Sequence, residues 1–230
     1  MSQPHAASDP LPPHPDHPNL RLVEHPLIAH KMTHLRDRNQ GRRTFRALAA
    51  QISGLMVYEA TRTFRTSQVN VETPLEHTTG RSLVGVPTIA PILRAGLGMS
   101  AGVLDMLPTA RVAHIGLERD ESTLEPSAYL SKIPADLAAG PVLLVDPMLA
   151  TGGSASRAAS MLRRAGAADL RMICIVAVPE GLRRMRQDHP DIPIFAAALD
   201  RELDENGFIR PGLGDAGDRL FGTDEIPRPR

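Results

Sequence analysis

The sequence predicts an α/β fold, in which helices cover both faces of a parallel β-sheet. Two observations support this fold class. The apolar runs at residues 142–145 and 170–178 are typical of strands buried on both faces, as parallel strands usually are. Strand patterns also alternate with helical patterns along the chain, which indicates right-handed crossovers between parallel strands. Ligands bind beyond the carboxyl ends of the strands in such a sheet, so we expect the functional site there.

The remaining elements follow in chain order. Residues 1–19 are rich in proline and histidine and poor in apolar side chains, so we predict a disordered tail before one domain over residues 20–230. A long helix is predicted over residues 42–63, because apolar residues recur there at helical spacing. Shorter helices are predicted to begin near residues 25, 99, 155 and 179. Strands are predicted over residues 68–71, 83–92, 112–117, 142–145, 170–178 and 192–198.

Composition excludes several classes of protein. The chain has 42% apolar and only 3% aromatic residues, which predicts an aliphatic core. Lysine plus arginine and aspartate plus glutamate balance at 26 each, so no overall field attracts nucleic acid or a membrane surface. The single cysteine, Cys174, lies in an apolar run and allows no internal disulfide framework. No apolar run approaches the roughly 18 residues of a membrane span, and no signal peptide is recognisable, so we expect a soluble, cytoplasmic protein.

The most informative stretch covers residues 142–154. A buried strand ends at Asp146, and a turn of threonine, two glycines and serine leads into a helix predicted over residues 155–165. Glycines let the backbone close around a phosphate, and the free N–H groups and the dipole at a helix start favour its charge. Asp146 can accept hydrogen bonds from two neighbouring ribose hydroxyls. The stretch therefore favours a phosphorylated sugar, the alternative being a strand–turn–helix joint with a serine cap.

The segment DPMLATGGS resembles the phosphoribosyl pyrophosphate (PRPP) loop of type I phosphoribosyltransferases, and its amino-acid sequence is most similar to that of the uracil phosphoribosyltransferases. Pro147 stands where the general pattern has a second acidic residue, a departure that is usual in the uracil branch. The resemblance covers about residues 25–223 and implies the type I phosphoribosyltransferase fold with a flexible flap. It also implies that PRPP is bound by Asp146, Pro147, Met148, Leu149, Ala150, Thr151, Gly152, Gly153 and Ser154.

Two arginines extend this resemblance. Arg94 lies where a strand meets a turn of small residues, a place suited to contacting pyrophosphate, although an arginine there could also simply fix a loop. Its surroundings, PILRAGLGM, resemble the pyrophosphate-contacting segment of the family. Arg119 lies in the charged run at residues 118–126, which alone is typical of a solvated surface. The family has a mobile flap there, whose arginine at this position contacts pyrophosphate, and such a lid would exclude water.

A glycine-rich loop lies near the end of the chain. Residues 212–217 fit the dinucleotide fingerprint G-x-G-x-x-G, but no strand and second β–α unit surround them, so we reject that interpretation. Uracil presents carbonyl, N–H and carbonyl groups along one edge, which main-chain groups can match. Residues 206–219 resemble the uracil loop of the family, although an ordinary glycine-rich tail is the alternative. The resemblance implies contacts to uracil from Ile209, Gly214, Asp215 and Ala216, with Asp215 also beside PRPP.

The resemblance implies the reaction uracil + PRPP → UMP + pyrophosphate, in pyrimidine salvage. Asp215, Arg94 and Arg119 are its expected catalytic residues, and Mg²⁺ its cofactor, held indirectly at Asp215 through PRPP. It further implies a homo-oligomer, dimeric or larger, and GTP as a possible effector. Two alternatives remain open from the sequence. One is a phosphoribosyltransferase that acts on a purine base, and the other is a regulator of the same fold that binds RNA, which the balanced charge disfavours.

Overall fold

A computed structural model describes residues 11–119 and 126–223, and the following holds for those residues. The strands, in chain order, are β1 (Leu20–Leu22), β2 (Thr66–Glu72), β3 (His77–Leu83), β4 (Thr88–Leu93), β5 (Arg111–Val112), β6 (His114–Arg119), β7 (Pro126–Lys132), β8 (Val142–Val145), β9 (Met148–Leu149), β10 (Leu170–Ala177), β11 (Ile194–Leu199), β12 (Glu202–Leu203) and β13 (Ile209–Arg210). The helices are α1 (Pro26–Arg36), α2 (Arg42–Ala60), α3 (Leu97–Met106), α4 (Gly153–Arg164), α5 (Pro179–Asp188) and α6 (Ala216–Phe221).

The central sheet has the strand order β1-β11-β10-β8-β4-β6-β7, with the short β5 paired to β4 and β9 paired to β10. Every pairing in it is parallel except that of β6 with β7, which is antiparallel. Because the strands run the same way, β4, β8 and β10 end at one edge. The predicted parallel α/β class is confirmed.

Helices cover both faces of the sheet, as predicted. Alternate residues of β8 point to opposite faces. Leu143 and Val145 belong to a core cluster that includes buried side chains of α1, α2, α3 and α6. Val142 and Leu144 belong to a second cluster with side chains of α4 and α5. The sheet is therefore buried on both sides, and Cys174 of β10 lies fully inside the second cluster.

Three local predictions need correction. The single strand predicted over residues 83–92 is divided between two strands. β3 ends at Leu83, Gly85 adopts a φ of +79°, and the core strand β4 begins only at Thr88. The strand predicted over residues 68–71 is one half of the β2–β3 hairpin, which is exposed along nearly its whole length and so lacks a clear alternation of polar and apolar residues. The helix predicted over residues 42–63 ends at Ala60, with Thr61 as its C-cap.

The N-terminal segment can be followed from residue 11. Leu11 packs against the core, and buried Asn19 donates from Nδ2 to the carbonyl of Leu182 at 3.1 Å. Residues 1–10 lie outside the described part of the chain, so the tail over residues 1–19 stays a prediction with respect to them. Across the two described ranges, no helix combines the length and the apolar character needed to cross a membrane.

Candidate active site

The residues that follow β8 remain hydrogen-bonded to the central sheet. The carbonyl of Pro147 accepts hydrogen bonds from the N–H groups of Ile175 at 3.1 Å and Val176 at 3.0 Å, so the residues after Asp146 stay attached to β10. The N–H of Val178 also donates to the carbonyl of Leu149 at 3.2 Å. Asp146 is therefore held at the carboxyl edge of the sheet by backbone contacts on both sides of it.

Asp146 is a partly exposed carboxylate in a largely apolar setting. Burial raises its pKa to about 7, although a hydrogen bond from the N–H of Met148 acts in the opposite direction. Burial also raises the pKa of the Cys174 thiol above its ordinary value, and the nearby charge of Asp146 adds to this. The thiol is therefore protonated and enclosed, which excludes it as a nucleophile.

The turn after Leu149 closes tightly. Gly152 adopts a φ of +80°, and a Cβ atom there would lie 2.9 Å from both the carbonyl oxygen of Gly181 and the Cβ of Arg184. Only glycine combines this conformation with this contact. The helix α4 starts immediately afterwards, when the N–H of Ser156 bonds to the carbonyl of Gly152 at 2.9 Å. The start of α4 therefore follows directly on the turn after Asp146, and of its first N–H groups that of Gly153 donates to Thr151 Oγ1 at 3.4 Å.

Three polar side chains of α4 and α5 hold the start of α4 in place. Ser156, which is buried, donates from Oγ to Asp188 at 2.6 Å. Arg184, whose side-chain stem packs against Gly152, is paired with the same carboxylate. The Ser156 hydrogen bond, followed by that of Arg184, lowers the pKa of Asp188. We refer to Ser156, Arg184 and Asp188 as the rear clamp, because together they tie α4 to α5 beneath the turn.

Arg94 lies at the same edge, directly beyond β4. The turn that follows it touches the end of β8, since a Cβ on Gly96 would lie 2.5 Å from the carbonyl oxygen of Val145. The Arg94 side chain is 57% exposed, and its Nη2 lies 3.9 Å from Oδ1 of Asp218 in α6. Arg94 therefore stands between the end of β8 and the C-terminal loop.

The C-terminal loop is fixed by one buried ion pair. Arg36 of α1 donates to the two carboxylate oxygens of Asp200 at 2.6 and 2.8 Å, and to the carbonyl of Gly212 at 2.8 Å. The N–H of Gly212 donates to Asp200 in return, at 2.9 Å. Asp200 is only 5% exposed and the Arg36 side chain 25% exposed, so the carboxylate of this pair is shielded from water and sets where the loop turns.

A second arginine completes the loop. Arg219 lies over the ring of Phe45 and donates to the carbonyls of Leu35, Asp37 and Leu213 at 2.7 to 2.9 Å. These contacts join α6 to the end of α1. Asp215 caps α6, because its Oδ1 accepts the N–H of Asp218 at 2.9 Å.

The predicted uracil-binding residues differ in exposure. Gly214 and Asp215 are exposed, whereas the side chains of Ile209 and Ala216 are buried in the core. Ile209 and Ala216 can therefore reach a ligand only with their main-chain groups. Main-chain groups are also what we predicted from the sequence to match the edge of uracil.

The helix α6 packs directly on α3, which follows the Arg94 turn. A Cβ on Gly98 would lie 2.5 Å from the methyl groups of Leu220, so the two helices are in close contact. The stretch from Arg94 to Gly98 thus touches β8 on one side and α6 on the other. The structure brings the predicted phosphate loop and the predicted base loop to the same edge of the sheet, with Arg94 between them.

The chain is similar to known proteins over most of its length. A family model described as uracil phosphoribosyltransferase matches residues 22–223. The chain belongs to the uracil phosphoribosyltransferase family. A curated uracil phosphoribosyltransferase from Acholeplasma laidlawii is 53% identical over 204 residues, which cover 89% of this chain and 98% of that protein. One from Listeria innocua is 50% identical over 206 residues, covering 89% and 99%.

A solved structure from Aquifex aeolicus has the same overall fold. It is 33% identical, has a TM-score of 0.85, and covers 90% of this chain and 100% of that one. The predicted activity is confirmed by these matches. The chain is a phosphoribosyltransferase, a glycosyltransferase-type enzyme that transfers the phosphoribosyl group of PRPP to uracil.

Not every predicted uracil phosphoribosyltransferase residue can be placed. Arg119 is the last residue of β6, but its side chain lies outside the described part of the structure, as do residues 120–125 of the predicted flap. Arg36, Asp200, Asp218 and Arg219 were not predicted from the sequence. Asp200 and Arg36 are 164 positions apart, so no local pattern links them. The one sequence feature that could have indicated Asp200 is its position directly after the strand β11.

Proposed function

We propose that PRPP and uracil share one cleft at the carboxyl edge of the sheet. The observation that supports this most strongly is the Arg94–Gly98 stretch, which contacts the end of β8 through Gly96 and contacts α6 through Gly98. Two half-sites joined by so short a segment are close enough to hold the two reacting molecules together. Holding both reactants in one geometry supplies a large part of the rate acceleration in a transfer reaction.

The PRPP half of the cleft is assigned to the stretch from Asp146 to Ser154. The N–H groups at the start of α4, together with the residues from Ala150 to Ser154, would hold the 5′-phosphate. Asp146 would accept hydrogen bonds from the ribose hydroxyls, most strongly in its ionised form, which offers two acceptor oxygens. Arg94, and Arg119 from the flap, would contact the pyrophosphate group and stabilise the charge that develops as it leaves.

The uracil half is assigned to the main chain of Ile209, Gly214 and Ala216, with Asp215 at its edge. Direct displacement by N1 of uracil at the anomeric carbon fits the residues present, because Cys174 is enclosed and protonated. Asp215 would accept the N1 proton. Turnover of Asp215→Asn across pH tests this role, and an unchanged rate and pH profile would exclude it.

Mg²⁺ fits this site as an ion bound jointly with PRPP. Within residues 11–119 and 126–223, no three histidine, cysteine or acidic side chains group into a metal site. Magnesium often needs no such cage, since one or two carboxylates and substrate phosphates suffice. Asp215 is exposed, and its Oδ2 has no partner in these ranges. When bound, the ion would neutralise charge on the pyrophosphate.

A coupled assay of UMP formation tests the proposed site. Wild-type enzyme should use uracil but neither hypoxanthine nor xanthine, and should need Mg²⁺. Arg94→Gln should reduce kcat/KM by about 100-fold, an effect typical of losing one donor to developing charge. Arg201→Gln is the matched control, because the Arg201 side chain is 70% exposed and, among the residues that the structure describes, pairs only with neighbouring Glu202. Equal activities of the two variants would contradict the assignment of Arg94.

GTP as an effector would need a site for an anion that is separate from the PRPP and uracil contacts, although it can share the rim of the substrate cleft at Asp218. A cavity of about 380 Å³ beside α6 suits this role, since it is lined by three arginines: its lining is Arg38, Gln40, Arg42, Asp218, Arg219 and Gly222. Stimulation of UMP formation by GTP that is lost in Arg38→Gln and Arg42→Gln would support the proposal. Equal stimulation of wild type and both variants would contradict this location.

The β2–β3 hairpin supports a homo-oligomer. Several of its apolar side chains are exposed by 37% or more, among them Val69, Val71 and Leu83, and Leu75 at its tip is 96% exposed. Such a concentration on one projecting element is typical of a protein–protein interface. Light scattering should give a dimer or larger assembly for wild type and smaller particles for Val69→Glu/Val71→Glu.

We also propose that the reaction takes place in the cytoplasm. Cytoplasmic proteins rarely contain disulfides, and the single cysteine of this chain cannot form one internally.

A further inference from the structure

We infer that Asp218 is a positioning residue, which holds Arg94 at the rim of the cleft in the empty enzyme and gives it up to pyrophosphate. This inference rests on the proposed contact between Arg94 and the pyrophosphate group. It assigns a role to Asp218, which lies in the segment that resembles the base loop but has no assigned contact to uracil or PRPP.

The contact between the two residues is loose on the arginine side. Nη2 of Arg94 lies 3.9 Å from Oδ1 of Asp218, a distance too long for a hydrogen bond. More than half of the arginine side chain is exposed, so water screens the attraction. Asp218 is nevertheless the only side chain in residues 11–119 and 126–223 that is paired with Arg94. A better anion can therefore displace it.

The contact is firm on the aspartate side. Oδ1 of Asp218 accepts a hydrogen bond from Thr223 Oγ1 at 2.7 Å, and the backbone N–H of Asp218 donates to Asp215 at 2.9 Å. The helix α6 that carries Asp218 is held against α3 by the close approach of Leu220 to Gly98. The carboxylate thus has a fixed position, and the arginine is the partner that moves.

Pyrophosphate competes for the same guanidinium. It carries several negative charges and can form two parallel hydrogen bonds with an arginine, which a carboxylate 3.9 Å away does not. Binding of PRPP should therefore draw Arg94 from Asp218. When pyrophosphate leaves as product, Asp218 is in place to receive Arg94 again. The exchange lowers the affinity for pyrophosphate, and so favours release of this product.

The test compares binding of pyrophosphate, measured by calorimetry in the presence of Mg²⁺. Asp218→Asn keeps the backbone N–H and an oxygen that Thr223 can reach, but it removes the charge that competes for Arg94. We expect it to bind pyrophosphate about three- to five-fold more tightly, the upper part of the range expected when a screened ion pair is removed. Asp218→Glu, which restores the charge, should return the affinity to within about two-fold of wild type. Asp218→Ser replaces Asp218→Asn if the latter does not fold.

The same Asp218→Asn change in the Arg94→Gln variant separates competition for Arg94 from a general effect of the Asp218 charge on pyrophosphate affinity. In Arg94→Gln, the further change Asp218→Asn should alter pyrophosphate affinity by less than about two-fold, because the competing arginine is gone. Equal tightening in both backgrounds, or no tightening in either, would overturn the inference. If Arg94→Gln alone leaves pyrophosphate affinity unchanged, the proposed contact of Arg94 fails instead, which separates the two outcomes.

Discussion

The two halves of the cleft are built in different ways. The phosphate half is made of one continuous stretch, in which Asp146, the turn at Gly152 and the start of α4 follow each other within a few residues. The base half is held by Arg36 and Arg219, which connect the C-terminal loop to the end of α1 across the chain. The first half is therefore encoded locally, and the second depends on long-range hydrogen bonds.

This difference predicts different consequences of mutation. A change in the phosphate half should weaken PRPP binding with little effect on uracil. A change in the contacts that hold the base half should affect folding and uracil binding together, because a loop without its own regular structure depends on those contacts for its shape.

The largest effect is expected from Asp200→Asn. The change leaves the Arg36 guanidinium facing a neutral amide in a buried place, so we expect a loss of about 3 kcal/mol in the free energy of unfolding. The KM for uracil should rise by about 100-fold, since the amide has one acceptor oxygen where the carboxylate has two, and the donors of Gly212 and Arg36 can no longer all be satisfied. Urea unfolding and steady-state kinetics measure the two quantities.

Glu202→Gln is the matched control for this change. Glu202 pairs with Arg201, but both side chains are more than half exposed, so the stability should change by less than about 0.5 kcal/mol. PRPP affinity should stay within about two-fold of wild type in both variants. A PRPP defect in Asp200→Asn as large as its uracil defect would contradict the separation of the two halves.

The next largest effect is expected from Gly152→Ala. A Cβ atom at this position meets backbone and side-chain atoms at 2.9 Å while φ stays at +80°, so the turn must shift. We expect PRPP affinity to fall by about 30-fold, which corresponds to about 2 kcal/mol. Gly207→Ala is the control, because Gly207 has the same φ, +79°, but nothing lies within 4 Å of its Cβ position. Equal PRPP defects would show that backbone strain alone, and not the contact, is responsible.

Asp146→Asn should give a smaller, pH-dependent effect. The raised pKa of Asp146, about 7, means that its ionised fraction grows as pH rises through neutrality. The ionised form offers two acceptor oxygens and stronger hydrogen bonds to the ribose hydroxyls than the protonated form, so the variant should bind PRPP about ten-fold more weakly at about pH 8. The difference should shrink towards about pH 6. Titration of the PRPP phosphate affects both proteins alike, so a constant ratio of affinities would contradict the role of Asp146.

The smallest effect is expected from the rear clamp. Ser156→Ala removes the hydrogen bond to Asp188 beneath the phosphate turn, which should raise the KM for PRPP about three-fold and leave the KM for uracil unchanged. Ser160→Ala is the control, since Ser160 contacts His189 one helical turn further from the site. A larger effect of Ser160→Ala would show that the clamp does not act on the turn.

The sequence predicted the locally encoded half well. The apolar run before Asp146 and the glycines after it specify a buried strand, a tight turn and a helix start, and all three are present. The β2–β3 hairpin and β7 were not recognised as such, because mostly exposed strands lack the periodicity that a buried face imposes. The Arg36–Asp200 pair and the Arg94–Asp218 contact could not be predicted, because only folding brings those residues together.

A crystal structure of the enzyme with UMP tests the single cleft most directly, because this product spans both halves. We expect one UMP molecule whose phosphate accepts hydrogen bonds from the N–H groups of residues 152–154 and whose ribose hydroxyls reach Asp146. Its base should lie within about 3 Å of main-chain groups of residues 209–216. A UMP molecule that occupies the phosphate turn while its base points away from residues 209–216 would contradict the account.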